Sequence, residues 1–411
     1  MPNIKDSRSQ IVFLILGLTI TILASSIKSV YQIYFIDLPE IYSLGRSEVS
    51  LLGALFGLFV GVFSPITGWL CDKYGASQTI LSGIIIAVLG FAGIYSFDSI
   101  FLLIICFSVL LSYSFTAITF IPFGILIDKV FREESKGLSY TILINGTAIG
   151  FIFLSPLWVY LNNILTWKEV NGFLSIAYFV LLIPIGIYLY KKYPEISDSC
   201  SLDKKNSSIY KFILDSKFIF LALSFGGCGM AMAFIDVHLV ALLKNIDNFY
   251  FFSSSDSFIA SSLSILGITE LIGSFLVAFA IRYFNLYLVL GFLYLIRCLI
   301  FISMNLASSD VVYLGLLSAF GLTYMGTVII SSLLCLRWYG IEIKGRMFGL
   351  LFLFHQVFVF ISIWMGGLIY DNDGNYIKYI FILFLISLLA ALAAFKLYKI
   401  SLNPHLLKRS K

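Results

Sequence analysis

The sequence predicts an all-α integral membrane protein with twelve transmembrane helices. Of its 411 residues, 60% are hydrophobic and only 12% are charged, whereas soluble domains carry about 25% charged residues. Its apolar runs have the length, roughly 20 residues, that a helix needs to cross a bilayer. A helix also satisfies its own backbone hydrogen bonds in lipid, and the sequence lacks the ten-residue alternation of an outer-membrane barrel.

Twelve apolar runs define the predicted spans. They cover approximately residues 10–35, 48–69, 77–96, 100–127, 137–161, 170–190, 217–242, 258–280, 287–305, 311–335, 347–369 and 377–398. The first run is too long for the core of a signal peptide and has no small-residue cleavage site before Lys28. The loops between the runs are short, so we expect no soluble domain.

The longest polar stretch divides the chain into two sets of six spans. It covers residues 191–216 and is rich in Lys, Ser, Asp and Asn. We predict two six-helix halves, at residues 1–190 and 217–411, joined by this stretch as a cytoplasmic linker. Such a division is typical of membrane carriers built from two repeated halves.

The distribution of basic residues predicts the orientation in the membrane. With a cytoplasmic N-terminus, 21 of the 27 Lys and Arg residues lie in inner segments, and Lys28 and Arg297 lie within spans. The outer loops hold Arg46, Lys168, Lys244 and Lys378. Because cytoplasmic loops are enriched in Lys and Arg, we expect a multi-pass protein of the cytoplasmic (inner) membrane with both termini inside. The net charge of +5 lies on these loops and does not indicate nucleic-acid binding.

A polar hairpin follows the second predicted span and reads Gly68-Trp69-Leu70-Cys71-Asp72-Lys73-Tyr74-Gly75. Its glycines allow close helix approach, and Asp72 can cap a helix and pair with charge across the loop. The hairpin resembles the cytoplasmic loop after the second helix of the major facilitator superfamily, although an ordinary turn also fits the string taken alone. The positions that match the family, which we interpret as a conformational hinge, are Gly68, Asp72, Lys73 and Gly75.

Further landmarks resemble the monocarboxylate transporter family and its bacterial relatives. In chain order they include Lys28-Ser29, Ser47-Glu48-Val49-Ser50, residues 131–139, residues 145–150, Asp236-Val237-His238, Tyr294-Leu295-Ile296-Arg297, His355-Gln356 and residues 366–376. The resemblance implies proton-linked or exchange movement of small organic anions such as lactate or pyruvate. Animal members place a Lys in the first span, which Lys28 matches. They also place an Asp, with an Arg four residues later, in the eighth span. Glu270 can stand for that Asp, but residue 274 is Ser.

Three charged residues lie deep within predicted spans, where each needs a partner or a wet cavity. Glu270 and Arg297 lie near the middle of neighbouring antiparallel spans. They could form a structural salt bridge, or Glu270 could take up a proton during transport while Arg297 tunes it or binds a substrate carboxylate. Lys28 could be the counter-ion of an anionic substrate, or its ammonium could reach the outer interface.

Other polar side chains within the spans are candidate contacts for protons or substrate. His238, beside Asp236 near the outer end of the seventh span, and His355 in the eleventh could carry protons, because the unperturbed pKa of His lies near neutrality. Each histidine could equally be neutral and hydrogen-bonded, and Asp236 could be a wetted loop acid. Polar groups near mid-span that could bind a carboxylate or hydroxyl, or simply pack, are Tyr113, Asn145, Tyr324 and Gln356.

Together these features predict a secondary active transporter of a small, monocarboxylate-like organic anion, with proton symport and alternating access around a mid-membrane site. Its partners would be the substrate, protons and the lipid bilayer, and we expect a monomer without cofactor or metal. An alternative is a proton-coupled importer or exporter of a larger metabolite, such as a siderophore, drug or amino acid. A non-transporting receptor or an embedded enzyme on the same fold is a different class. We do not expect an enzyme, because only His238 with Asp236 hints at a catalytic cluster.

Overall fold

The computed structural model describes residues 7–193, 214–246 and 249–402. Every regular element in these ranges is a helix. Twelve of the helices are long and apolar enough to cross a membrane, which confirms the predicted fold class and number of spans. Residues 194–213, most of the predicted linker, lie outside the described ranges, and the division into two halves stays a prediction.

The spanning helices follow the predicted order, and we number them span 1 to span 12. They are Arg8–Tyr34, Arg46–Tyr74, Ala76–Ser96, Ile100–Val130, Glu134–Leu161, Trp167–Lys192, Ser216–Leu243, Ser255–Tyr283, Leu286–Met304, Asp310–Gly340, Gly345–Asp373 and Ile377–Leu402. A short helix, Leu38–Tyr42, lies between spans 1 and 2. Most spans exceed the predicted apolar runs because the helix continues into the polar residues that flank them.

Several spans are interrupted. Span 1 divides into Ser7–Ala24 and Ser26–Tyr34, and span 5 into Glu133–Ile144 and Gly146–Leu161. Spans 4 and 6 contain the π-helical segments Ile104–Leu111 and Tyr178–Leu182. The remaining pieces of these two spans are Ile100–Leu103, Ser112–Ala117, Phe120–Val130, Trp167–Ala177 and Ile183–Lys192. Spans 10 and 11 form one run, Asp310–Asp373, that bends at Gly340, where φ is 71°. Such irregular turns often mark functional parts of a helix.

The first six and the last six spans meet along an interface that we call the seam. Span 5 packs against span 8, and the second helix of span 1 packs against span 7. Span 2 packs against span 11 at two glycines, where there is no room for a larger side chain. A Cβ atom added at Gly57 would lie 2.7 Å from the Val359 side chain, and one added at Gly61 would lie 2.8 Å from that of Gln356. The glycines therefore allow helices on the two sides of the seam to approach closely.

The seam is closed towards the predicted outer face. Asp371, near the end of span 11, accepts hydrogen bonds from the backbone N–H groups of Arg46 and Ser47, each at 2.8 Å. These are the first donors of span 2, so Asp371 caps that helix from across the seam. Nearby, Asn163 Nδ2 donates to Asp256 Oδ2 at 2.8 Å.

Towards the predicted inner face the two sides of the seam separate. A Cβ atom added at Gly68 of span 2, or at Gly345 or Gly349 of span 11, would have no atom of another helix within 4 Å. The same two helices are in contact nearer the outer face, at Gly57 and Gly61. The seam is thus sealed on one side of the protein and spread apart on the other.

One glycine allows a test of this packing. A side-chain carbon at Gly273 of span 8 would lie 2.6 Å from the backbone Cα of Leu322 in span 10. We expect Gly273→Ala to destabilise the protein by about 1–3 kcal/mol, because backbone atoms cannot move aside as a flexible side chain can. Thermal unfolding in detergent measures the effect.

Gly315→Ala is the matched control, because Gly315 also lies in a helix but has open space around it. Replacing Gly by Ala within a helix without a clash normally stabilises it by about 0.5–1 kcal/mol. Equal thermal stability of Gly273→Ala and Gly315→Ala would contradict the close approach of spans 8 and 10.

Candidate functional site

A lysine from span 1 and an acid from span 7 meet across the seam. Lys28 Nζ donates to Asp236 Oδ2 at 2.5 Å. The other carboxylate oxygen, Oδ1, accepts a hydrogen bond from the Tyr324 hydroxyl of span 10 at 2.6 Å. The Lys28 side chain is 43% exposed and that of Asp236 is 25% exposed, so a solute can reach both. Lys28 therefore points to a carboxylate rather than to the outer interface.

Glu270 of span 8 brings a second carboxyl group to this pair. It is half-buried, and the charges of Asp236 and Lys28 both act on it. Its own charge acts in turn on Tyr324. We call Lys28, Asp236, Glu270 and Tyr324 the ionic cluster. It joins residues predicted to bind substrate with residues predicted to couple protons, from four different spans.

Arg297 does not form the salt bridge with Glu270 that was one of its two predicted roles. Its Nε donates to Thr323 Oγ1 at 3.0 Å, and its Nη2 donates to the carbonyls of Thr323 and Tyr324 at 3.0 and 3.3 Å. The reason lies in the packing: span 9 lies against spans 10 and 12 and makes little contact with span 8. Spans 8 and 9 are consecutive in the sequence, but Glu270 and Arg297 do not meet in the structure.

His355 is buried in the last six spans, close to Arg297. Its ring lies 4.4 Å from that of Phe225 and 5.8 Å from that of Phe352, centroid to centroid. Neither ring nitrogen has a hydrogen-bond partner. The charges of Arg297 and Lys28 both act on the ring, so His355 lies within range of both cations. Gln356, the next residue, packs instead on span 2 at the seam.

His238 is fully buried near the outer face, and both of its nitrogens are hydrogen-bonded. Nε2 lies 2.9 Å from the carbonyl of Ile363, and Nδ1 lies 3.1 Å from the Tyr376 hydroxyl. Since a carbonyl only accepts, Nε2 carries the proton and Nδ1 accepts from the tyrosine. The ring also meets that of Phe35, the residue after span 1, edge to face with 5.1 Å between the ring centres. These contacts match the neutral, hydrogen-bonded alternative, while a proton-coupling role stays a prediction.

Tyr113 and Asn145 lie apart from the ionic cluster. The hydroxyl of Tyr113 lies 2.7 Å from Ser82 Oγ, and its ring contacts Phe63, so its described contacts stay within the first six spans. Asn145 lies half-buried at the break in span 5. None of the described hydrogen bonds joins either residue to Lys28, and their substrate-binding role stays a prediction.

The predicted hinge forms a tight turn between spans 2 and 3. Gly75 has φ 106°, a conformation that residues with a side chain rarely adopt, and its N–H donates to the carbonyl of Cys71 at 2.9 Å. Lys73 Nζ lies 4.7 Å from the centre of the Trp69 ring. Asp72 is exposed and takes part in none of the ion pairs among the described residues, contrary to the expected pairing across the loop.

Sequence reasoning missed two polar groups at the seam. Gln32, one turn after Lys28 on the same helix face, donates from Nε2 to the carbonyl of Ile235 at 2.8 Å. A polar residue four positions from a membrane lysine was the available signal. Asp371 lies within a run that resembles the monocarboxylate transporter family, but its role needs the position of span 2, which the sequence does not reveal.

In the three described ranges, His, Cys, Asp and Glu side chains do not gather in groups of three that could hold a metal ion. The ionic cluster instead offers one ammonium, two carboxyl groups and a phenol. These groups can bind and exchange protons and can pair with a charged solute.

Comparison with known proteins identifies the family. The model of the Major Facilitator Superfamily matches residues 11–337. The uncharacterized MFS-type transporter YcxA of Bacillus subtilis (strain 168) is 24% identical over 361 residues, covering 86% of each chain. Monocarboxylate transporter 12 of Xenopus laevis is 24% identical over 277 residues, covering 62% of this chain and 58% of the relative.

Solved structures agree on the fold. The chain is similar to a bacterial homolog of the human lysosomal transporter Spinster in its inward-facing, occupied conformation, with a TM-score of 0.69 and 15% identity over 94% of this chain and 96% of the homolog. The unoccupied, inward-facing form gives 0.68 and 14%, over 96% and 95%. Because the family match spans most of the chain and the twelve-helix fold agrees with it, the chain belongs to the Major Facilitator Superfamily and is a multi-pass membrane transporter rather than an enzyme.

Proposed function

We propose that the protein is a secondary active transporter that moves a small, monocarboxylate-like organic anion together with a proton. The ionic cluster is the observation that carries this proposal. It holds a lysine and two carboxyl groups on helices from both sides of the seam, with Lys28 and Asp236 accessible to solutes. Charged groups inside a membrane protein typically mark the path of a substrate or proton.

The balance of charge gives a physical reason why transport of the anion would be coupled to transport of a proton. Lys28 and Arg297 are positive, and Asp236 and Glu270 are negative when ionised, so the ionic cluster and the adjoining Arg297 are then neutral as a group. A proton on Glu270 leaves one positive charge in excess, and a monovalent anion compensates it. Since net charge is costly in a low-dielectric interior, binding of the proton and of the anion should favour each other.

The seam supplies the moving interface. We propose that residues 1–190 and 217–411 form two halves that rock around the ionic cluster, with residues 191–216 as the linker. The closed and spread ends of the seam then correspond to an outer side that is sealed and an inner side that is open. The charge distribution of the loops supports cytoplasmic termini in the cytoplasmic (inner) membrane. We propose the monomer as the working unit.

Among the relatives, the support for a monocarboxylate substrate comes from one protein that is named for that substrate class. The Xenopus protein is a monocarboxylate transporter, and its similarity to this chain is distant. A screen of purified protein in proteoliposomes, with lactate, pyruvate, oxalate, amino acids and metal chelates under an imposed pH gradient, tests the assignment. Uptake of one or more monocarboxylates supports it. Uptake of a chelate or amino acid but of no carboxylate would favour a carrier of larger metabolites.

Glu270→Gln should abolish proton-driven accumulation of the substrate and leave exchange of internal for external substrate measurable. Glutamine keeps the shape of the side chain but cannot take up and release a proton. Proteoliposomes with and without a pH gradient separate the two activities. Glu134→Gln, which alters an exposed acid at the inner end of span 5, is the control and should accumulate substrate normally. Undiminished accumulation by Glu270→Gln would reject Glu270 as the coupling group.

Lys28→Gln should lower uptake at least about tenfold, because the variant loses one hydrogen bond to a charged group. Lys28→Arg should retain much of the activity. Arginine keeps the positive charge that pairs with Asp236 and the substrate. Initial rates in proteoliposomes measure the change, with the exposed Lys244→Gln as control. Wild-type uptake by Lys28→Gln would exclude the counter-ion role.

Asp371→Asn should open the outer face more often. Loss of the charged cap costs about 1 kcal/mol, roughly a fivefold change in population. Spin labels at Ile41 and Leu306, both exposed near the outer face, should show a larger fraction of long distances in a variant without native cysteines. Asp373→Asn is the control because Asp373 pairs with Lys378 within the last six spans. Identical distance distributions for the two variants would exclude Asp371 as part of the seal.

A further inference from the structure

Spans 1 and 7 are joined by a second hydrogen bond besides the Lys28–Asp236 pair. Gln32 lies one turn after Lys28 on span 1, about 6 Å nearer the predicted outer face. It is 1% exposed, and its Nε2 donates to the backbone carbonyl of Ile235 at 2.8 Å. Ile235 directly precedes Asp236 in span 7. Two side chains one turn apart on span 1 therefore bind two successive residues of span 7.

Both side chains belong to a short helix, Ser26–Tyr34, that forms the outer part of span 1. The regular helix of the span is interrupted at Ser25, so the direction of the outer part depends on its own side-chain contacts. Tyr31 ties this helix to span 2, because its hydroxyl donates to the carbonyl of Val49 at 2.8 Å. The two bonds to span 7 hold the helix from the other side of the seam.

The hydrogen bond from Gln32 does not serve the backbone of span 7. Ile235 lies inside the helix Ser216–Leu243, and an α-helix already satisfies its own carbonyls. An apolar side chain in the place of Gln32 would also avoid the cost of burying an amide. The amide adds direction instead, because a hydrogen bond forms only within a narrow range of distance and angle. Buried polar groups fix the register of packed helices in this way.

The contact between spans 1 and 7 is sealed on the outer side of Gln32. Phe35, which lies about one turn after Gln32 on the same face, is fully buried, and its ring meets that of His238 with 5.1 Å between the ring centres. On the inner side of Gln32, the Lys28 side chain is 43% exposed. Gln32 itself is too buried to bind a solute. Any influence of Gln32 on solute binding therefore has to pass through Lys28 and Asp236.

We propose that Gln32 is a positioning residue for the anion site of the ionic cluster. Its bond to Ile235 holds span 7 in the register at which the Asp236 carboxylate meets Lys28 Nζ. The carboxylate then keeps the ammonium in one place, so that an anion binds at a lower cost in entropy than it would to a freely moving lysine. The role in anion binding rests on the proposed function, whereas the register of the two helices does not.

The kinetics of uptake separate positioning from a purely structural role. Gln32→Met keeps an unbranched side chain but has no hydrogen-bond donor. We expect it to raise the half-saturation concentration of the transported anion by up to about tenfold, the effect of losing one hydrogen bond, and to change the maximal rate little. A purely structural role would lower the amount of folded protein, and with it the maximal rate alone. Initial rates in proteoliposomes over a range of substrate concentrations measure both quantities.

Gln10→Met is the matched control. Gln10 also lies in span 1, and its Nε2 donates to the carbonyl of Val130 in span 4 at 3.0 Å. That bond stays within the first six spans, so the control should leave the half-saturation concentration unchanged. An equal rise in Gln10→Met and Gln32→Met, or no rise in Gln32→Met, would overturn the role of Gln32 in anion binding.

A double-mutant cycle tests the register without any substrate. The apparent unfolding temperature of the full chain in detergent is measured for Gln32→Met, for Asp236→Asn and for the variant that carries both changes. Because the two residues support one contact, the shift in the double variant should be smaller than the sum of the single shifts. The cycle of Gln10→Met with Asp236→Asn should be additive, since the Gln10 bond lies elsewhere in span 1. Additive shifts in both cycles would overturn the proposal.

The two measurements also separate this proposal from the proposed function. If none of the tested anions is transported but the Gln32 cycle is non-additive, the register holds and the substrate class is wrong. If an anion is transported while both cycles are additive, the proposed function holds and Gln32 is not a positioning residue. Lys28→Arg, which keeps the charge but changes the reach of the side chain, replaces Asp236→Asn in the cycle if that variant does not fold.

Discussion

The pairing of Lys28 with Asp236 across the seam is the interaction on which the arrangement of the protein depends. An ammonium within a membrane span is tolerated only with a partner or water, and here the partner lies on a helix more than two hundred residues away in the sequence. The pair holds spans 1 and 7 together, and Tyr324 extends it to span 10. One short contact thus fixes three helices around a common point.

The twelve spans could be predicted from the sequence because lipid imposes a simple rule on composition and length. Charged residues within the spans could also be predicted, which is why Lys28, Glu270 and Arg297 were singled out as deep charges, whereas Asp236 was placed near the outer end of its span. Which of them would pair could not. The Glu270–Arg297 salt bridge, one of the two alternatives for these residues, does not form, because span 9 packs mainly against spans 10 and 12 and makes little contact with span 8.

The hydrogen bonding of a buried side chain could not be predicted from the neighbouring sequence where several helices meet. His238 and His355 look alike in sequence, each a histidine within an apolar run, yet one has both nitrogens hydrogen-bonded and the other has neither. The difference comes from Ile363 of span 11 and from Tyr376, which lies between spans 11 and 12. The chemistry of a histidine in a membrane is therefore decided by tertiary neighbours, and no sequence window around it contains them.

The cap that Asp371 places on span 2 has a consequence for the state in which that contact is broken. Separation of the outer ends would uncover the partial positive charge at the start of a helix, with the guanidinium of Arg46 beside it. The carboxylate of Asp371 would be left on the opposite side, so the opened mouth would have one positive side and one negative side. An anion that enters from outside would be attracted to the start of span 2, where it could take the place that Asp371 held.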